Sequence, residues 1–198
     1  MNAVLTLLAV ALAVTACKGK ETGRDTTSAP SATIDTVLPP EQALARFRGT
    51  APRVESLTAG TPTTDSLLKT FSRAVRTNDT AALVRLAMTR AEFADLYYPN
   101  HPRGKPPYDL SPQLMWYQLT ENSEQGLRRL LAARGGRDLR ITSVACSDTI
   151  RLSPTTAVLA SCRTTGTART ADSAQAALFS GIIISGNTRK LVGYANRL

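Results

Sequence analysis

The hydrophobic residues between positions 40 and 134 recur at the spacing of α-helices. One apolar face over 65–76 has its members at i, i+1, i+4, i+7 and i+8: Leu67, Leu68, Phe71, Ala74 and Val75. Asp79 belongs to the residue types that cap helices, and it predicts a second helix over the apolar positions that follow. A shorter helix is expected over 40–48, because proline occupies its first turn and Gly49 follows it.

Two further helices are predicted from their starting residues. Thr89 and Glu92 have the spacing of a capping box, in which the Thr oxygen accepts one free N–H and the Glu side chain accepts another. Ser111 and Pro112 combine a cap with a first-turn proline, and they open a longer helical region. Gly126 is interpreted as a break that divides this region into two pieces.

From position 138 the pattern changes from the helical period to alternation, which is typical of strands. Four strands are expected, near 138–150, 156–165, 175–185 and 189–196. Ser153-Pro154 is the predicted turn of the first pair, and Gly186-Asn187 that of the last pair. Because the connections are short, we expect an antiparallel meander. Helices followed by such a sheet predict the α+β class, with N-terminal helices packed on a curved four-stranded antiparallel sheet.

The first sixteen residues carry no charge and are almost wholly apolar. The apolar stretch 3–16 is shorter than the roughly 20 residues that span a bilayer, and it matches the apolar core of a secretory signal. It closes on Val14-Thr15-Ala16-Cys17, which resembles the lipobox of bacterial lipoproteins. An ordinary secretory peptide with an incidental cysteine is the alternative interpretation.

The lipobox resemblance implies an anchor and an address. Residues 1–16 would be cleaved as the signal peptide, and Cys17 would carry a diacylglyceryl group and usually a further acyl chain such as palmitate. Two or three acyl chains hold a protein at a membrane firmly. The expected location is the bacterial cell envelope, in the outer membrane or facing the periplasm in a Gram-negative cell. Residues 17–60 are then a lipidated tether with a short helix, and 61–198 are the folded domain.

The chain is strongly basic, with 24 Lys and Arg against 15 Asp and Glu and a formal net charge of +9. A basic protein held at a membrane is attracted to anionic lipids and to acidic envelope polymers. Nucleic acid is not expected as a partner, because an exported protein rarely meets it and the sequence has no Arg-Gly repeats. A merely solvated basic surface is the simpler alternative, and no protein partner is indicated.

The order of elements resembles the NTF2-like, or cystatin-like, cone fold, in which helices precede an antiparallel sheet. The runs 181–184 and 190–194 resemble the closing hairpin of many such domains, and 91–99 with Trp116 resembles a group of uncharacterised bacterial envelope proteins. The resemblance covers about residues 61–198. It implies the cone architecture but no particular activity, since this fold hosts enzymes, binding proteins and scaffolds.

Cys146 and Cys162 are predicted to form a disulfide. Pairing about the turn at 153–155 places them opposite each other, on an apolar face shared with Val144, Val158 and Ala160. In an oxidising envelope a facing pair should be oxidised, and closing such a loop contributes about 3 kcal/mol in the chain-entropy description. A redox-active pair is the alternative, but it usually needs an exposed Cys-x-x-Cys motif. No spacing of ligands predicts a metal site.

Two further sets of residues are candidates for function. His101, the only histidine, could act as a general acid–base with Asp95 or Asp109. A set of aromatic residues could line a ligand pocket or belong to the core: Phe71, Phe93, Tyr97 and Trp116. No nucleophile elbow, phosphate-binding loop or dinucleotide fingerprint occurs, and no cofactor is expected.

The sequence therefore favours a lipid-anchored, non-enzymatic envelope protein that binds a small hydrophobic ligand or an envelope partner. The first alternative is an NTF2-like enzyme that uses His101. The second is a purely structural module of the envelope.

Overall fold

The computed structural model describes residues 38–168 and 176–196. The predicted signal peptide and Cys17 lie outside these residues. The five α-helices of the described chain are α1 (Pro40–Arg48), α2 (Thr64–Arg76), α3 (Thr80–Leu86), α4 (Arg90–Glu92) and α5 (Pro112–Arg134). The strands are β1 (Leu139–Arg151), β2 (Thr156–Ala168), β3 (Gly181–Ser185) and β4 (Thr188–Gly193). The α+β class is confirmed.

The sheet is a four-stranded antiparallel meander with the order β1-β2-β3-β4. Both predicted turns are present, and Cys146 faces Cys162 in the predicted register. The third strand is shorter than expected and begins at Gly181, since only an isolated bridge between Thr164 and Ala176 precedes it in the described chain.

The helix starts follow the capping chemistry that the sequence contains. The Asp79 side chain accepts a 2.8 Å hydrogen bond from the N–H of Ala82. At α4 the predicted capping box is complete, with the Thr89 hydroxyl and the Glu92 carboxylate each accepting a backbone N–H of the other residue. After Glu92 the coil widens into a π-helical turn over Phe93–Tyr97, and short 3₁₀ turns follow over Tyr98–Asn100 and Pro102–Gly104.

Gly126 does not break the long helix, and this prediction is wrong. Helix α5 is continuous through it, and the glycine serves as a point of close approach instead. A β-carbon at this position would overlap the carbonyl oxygen of Tyr194. Around it, Ser123 accepts the N–H of Tyr194, and Asn196 donates to the Gly126 carbonyl over 2.9 Å. The end of the described chain is therefore seated directly on α5.

We expect Gly126→Ala to destabilise the protein although alanine is the better helix former. Overpacking costs about 1–3 kcal/mol, which exceeds the gain of about 1 kcal/mol in helix propensity. Chemical denaturation of both proteins measures the difference. Gln125→Ala, at the exposed neighbouring position, is the control and should change stability by less than about 0.5 kcal/mol. A Gly126→Ala protein as stable as the parent would contradict the close approach.

Two hydrophobic clusters cover the sheet. The first joins α2, α3 and the second half of α5 to Ile182 and Leu191. The second joins α1, the π-helical turn and the first half of α5 to Ile183 and Val192. Because successive strand residues point to opposite faces, the two clusters lie on opposite faces of this part of the sheet.

The apolar face predicted for the β1–β2 hairpin is divided between these clusters. Val158 and Ala160 pack with the second cluster, whereas Cys162 and Val144 pack with the first. Ser161, with a φ of 54°, interrupts the alternation between them. The partners across the hairpin are as predicted, but their side chains do not share one face.

Candidate functional site

The four aromatic residues proposed as a pocket are not all together. Phe71 lies in the first cluster, stacked at 6.3 Å from Tyr194 and edge-on to Phe179. Phe93, Tyr97 and Trp116 lie in the second cluster. The prediction of one aromatic set is therefore wrong for Phe71. Helical spacing placed each residue on a buried face, but it did not indicate which neighbouring element that face meets.

Phe93 is the centre of the second aromatic group. Its ring centroid lies 5.1 Å from that of Trp116, 5.5 Å from Phe47, 5.6 Å from Tyr97 and 5.7 Å from Tyr98. Phe93 is fully buried, whereas Trp116 is only partly buried. One part of the tryptophan ring therefore reaches the edge of the cluster.

An apolar groove lies beside Trp116, and we call it the α5 groove. It has a volume of about 270 Å³ and runs between α5 and the segment that links α3 to α4. Its walls and floor are Val84, Ala87, Met88, Thr89, Arg90, Trp116, Leu119, Thr120, Ser123, Glu124, Leu127, Val192 and Tyr194. The α5 members recur at i, i+3, i+4, i+7, i+8 and i+11, so one continuous face of the helix forms a wall.

The linking segment, which forms the other wall of the groove, is fixed against the sheet. The N–H of Met88 donates a 2.8 Å hydrogen bond to the carbonyl of Leu191, and Ala87 bridges the same strand. This segment covers part of the free edge of β4. Three polar side chains of the lining are already engaged: Arg90 donates to the Phe47 carbonyl, Thr120 to the Trp116 carbonyl, and Ser123 accepts from Tyr194. What the groove offers to a ligand is mainly apolar surface.

A buried ion pair between Glu92 and Lys190 lies outside the groove. The side chains are 0% and 1% exposed, and Nζ of Lys190 contacts both carboxylate oxygens, at 2.9 and 3.1 Å. Glu92 also accepts the N–H and hydroxyl of Thr58 and the N–H of Thr89. The carboxylate therefore ties together the loop before α2, the start of α4 and strand β4.

Burial by itself would raise the pKa of Glu92. The hydrogen bond from the Thr89 N–H, the contact with Lys190 and the N–H of Thr58 outweigh this effect and lower the pKa below its usual 4.5. Glu92 is thus charged in the folded protein. The sequence indicated the capping role of this residue but not its partner, since Lys190 is 98 positions away and no local signal connects the two.

His101 does not form the expected pair with either aspartate. Its Nδ1 accepts the N–H of Arg103, and its ring stacks at 4.6 Å on Tyr97. Asp95 instead binds Arg48 at 2.6 Å and accepts the N–H of Val54, while Asp109 is exposed. Burial, with the nearby Arg103 charge, lowers the pKa of His101 to about 4, so the ring is neutral at pH 7.

The lowered pKa of His101 predicts a pH dependence of stability. As the pH falls from 6.5 towards about 4, the unfolded chain binds a proton at this residue that the folded chain does not. Stability from this group is therefore full above 6.5 and falls by up to about 3 kcal/mol across the window. Denaturation curves of the parent and His101→Gln should show a shallower pH slope for the variant. Equal slopes would mean that folding does not lower the pKa of His101.

Cys146 and Cys162 form a disulfide, with their Cα atoms 4.0 Å apart. Cys162 is buried against the first cluster and Cys146 is partly buried. The bond joins directly opposed residues of a hairpin, so it reinforces a pairing that the backbone also makes.

Comparisons with protein families, with curated proteins and with solved structures found no match. Within 38–168 and 176–196, no helix combines the length and the hydrophobicity needed to cross a bilayer.

Proposed function

We propose that this chain is a lipid-anchored, non-enzymatic protein of the bacterial cell envelope whose folded domain binds a small hydrophobic ligand in the α5 groove. The anchor is the lipid on Cys17. The observation that carries the binding role is the groove itself, a largely apolar concavity bounded by Trp116, Leu119 and Leu127.

The size and lining of the groove define the ligand class. Its volume of about 270 Å³ is just below the usual range of small-molecule pockets, which begins near 300 Å³. A single aromatic ring system or a short acyl chain matches that volume. Glu124 and Arg90 are the exposed charged residues of the lining, so a polar end of the ligand would remain beside them while its apolar part covers Trp116.

The placement of the titratable groups supports binding rather than catalysis. Among the buried groups with shifted pKa values, Glu92 and His101 do not line the groove. Tyr194 does line it, but burial raises the pKa of its hydroxyl, which donates a hydrogen bond to the Leu83 carbonyl. Glu92 has its hydrogen-bonding capacity taken up by Thr58, Thr89 and Lys190. A ligand in the groove thus meets no free acid–base pair among the described residues.

The architecture we propose for the domain is the NTF2-like cone. Its support is the order of elements, with helices α1–α5 preceding an antiparallel meander, and the packing of α2 and α5 against β4.

The anchor is tested by Cys17→Ser in the producing bacterium. The expected result is loss of acylation and an uncut precursor, measured as the intact mass of the membrane fraction. A Cys17→Ser protein with the parent's mature mass and detergent partitioning would overturn the anchor.

The groove is tested with N-phenyl-1-naphthylamine, an uncharged fluorescent probe. Binding should raise the probe's fluorescence and quench that of Trp116, the only tryptophan. Val84→Gln places a polar side chain at the groove, and we expect about tenfold weaker binding from the cost of covering it. Ala81→Gln is the matched control, since it is also exposed on α3 but does not line the groove. Absent or equally weakened binding in both variants would overturn the ligand site.

A further inference from the structure

Large hydrophobic side chains are concentrated at one place on the described surface. Four of them are exposed in residues 38–168 and 176–196, and three lie within ten positions: Tyr108 (65%), Leu114 (44%) and Tyr117 (61%). The fourth, Val84, belongs to the α5 groove. We call the three residues the 108–117 patch. No other residue of the described chain covers these three side chains.

The patch is held by an ordered loop and the first turns of α5. Leu114 and Tyr117 are three positions apart on α5 and therefore share one helix face. Tyr108 precedes the Ser111 cap, and the loop that bears it is fixed at Leu110, which accepts the Tyr98 hydroxyl and donates to the Arg103 carbonyl. The patch is thus presented on fixed backbone.

The loop that bears Tyr108 carries more positive than negative charge. Arg103 and Lys105 are exposed on it, with Asp109 as its acidic residue, and Glu121 lies one turn beyond Tyr117 on α5. The chain as a whole carries +9. Tyrosine combines an apolar ring with a polar tip, which suits the boundary between head groups and hydrocarbon. Lysine and arginine at such a boundary are attracted to anionic lipids.

The described chain begins on this side of the domain. Helix α1, with which the described chain nearly begins, packs on the start of α5. The Gln113 side chain donates to the Ala43 carbonyl over 3.3 Å, and Phe47 meets Trp116 edge-on. Cys17 precedes Leu38 by 21 positions, and the covalent chain between them can span at most about 70 Å. A lipid on Cys17 would therefore hold the bilayer within reach of the 108–117 patch.

We propose that the 108–117 patch docks the domain on the anionic phospholipid surface of the membrane that holds its anchor. This inference rests on the proposed anchor at Cys17. Tyr108, Leu114 and Tyr117 enter the interfacial layer, and Arg103 and Lys105 bind the phosphate groups.

The test uses the full acylated chain in vesicles and hydroxyl-radical footprinting read by mass spectrometry. Flotation with phosphatidylcholine vesicles reports the anchor alone. Footprinting then compares these vesicles with mixed phosphatidylcholine and phosphatidylglycerol vesicles. Oxidation of Tyr108, Leu114 and Tyr117 should fall several-fold in the anionic vesicles, whereas oxidation of Val84, an exposed residue outside the patch, should not change. High salt should restore the oxidation.

A variant separates the charges from the anchor. The double variant Arg103→Gln, Lys105→Gln should float with vesicles as the parent does. Its docking equilibrium should be about thirtyfold weaker, and the patch residues should lose their protection from oxidation. Equal oxidation of the patch in both kinds of vesicle would overturn the docking. The docking would also be overturned if, in phosphatidylcholine vesicles alone, protection of the patch increased with protein density. That result would indicate that a second copy of the chain covers the patch. If the parent does not float, the anchor fails, and protection on mixing with anionic vesicles still decides the docking.

Discussion

Lys190→Met is expected to lower the free energy of unfolding by about 3–5 kcal/mol, because it leaves the buried Glu92 carboxylate without its counter-charge. Both side chains are essentially inaccessible, so water cannot replace the lost contacts. Removing Lys190 also removes one of the contacts that keep the pKa of Glu92 low. Urea denaturation at pH 7 measures the loss.

Two controls show whether the loss comes from the pair. Lys69→Met removes the partner of Asp65 in an exposed ion pair, in which the Lys69 side chain is 76% accessible and that of Asp65 74%. This variant should change stability by less than about 1 kcal/mol. Glu92→Gln combined with Lys190→Met should be less destabilised than the two single variants predict together, because the unpaired charge is gone. Additive losses would show that the two residues act independently.

The same pair predicts acid sensitivity at a pH below most of the His101 window. Because the pKa of Glu92 is below 4.5 in the folded protein, its contribution is full above pH 4.5 and is lost as the pH falls through the folded value. The contribution of His101 is lost at higher pH, between 6.5 and about 4. In Lys190→Met the folded-state pKa of Glu92 rises, so acidification through this window should cost the variant less stability than it costs the parent, while the His101 slope remains.

Features set by neighbouring residues were predictable from the sequence. The Thr89 capping box depends on four consecutive positions, and the hairpin register depends on the turn at Ser153-Pro154. Both are confirmed because the interactions that produce them are local. The Cys146–Cys162 pairing followed from that register without any knowledge of the core.

Features set by distant contacts were not predictable. Gly126 was interpreted as a break because glycine weakens helices, but its role depends on Tyr194, which the sequence does not place beside it. The burial of Glu92 depends on Lys190 and Thr58, on two other elements. The α5 groove likewise depends on where the Ala87–Met88 segment meets β4. The sequence contained one signal for the buried pair. Lys190 is a charged residue at an apolar position of a strand, between the Ile-rich β3 and Leu191.

Phe93→Ala is expected to cost about 3–5 kcal/mol, the usual range for removing a buried phenylalanine. The ring touches four aromatic neighbours at centroid distances of 5.1 to 5.7 Å, and it lies at the first position of the π-helical turn. Its neighbours belong to three separate segments of the chain, so they cannot all move in to fill the space. Thermal and chemical denaturation measure the effect.

Comparison with Trp116→Ala distinguishes a filled core from a wall of the groove. Trp116 is larger than Phe93, but part of its ring faces the α5 groove, so its removal should cost less than that of Phe93. Tyr117→Ala, one position along α5 and exposed, is the control and should stay within about 0.5 kcal/mol. We expect the loss of stability to decrease in the order Phe93, Trp116, Tyr117, because the side chains are decreasingly enclosed in that order. Ring size alone would place Trp116 first. If Trp116→Ala proved the most destabilising, the groove beside it would be closed in solution, and the proposed ligand site would lose its support.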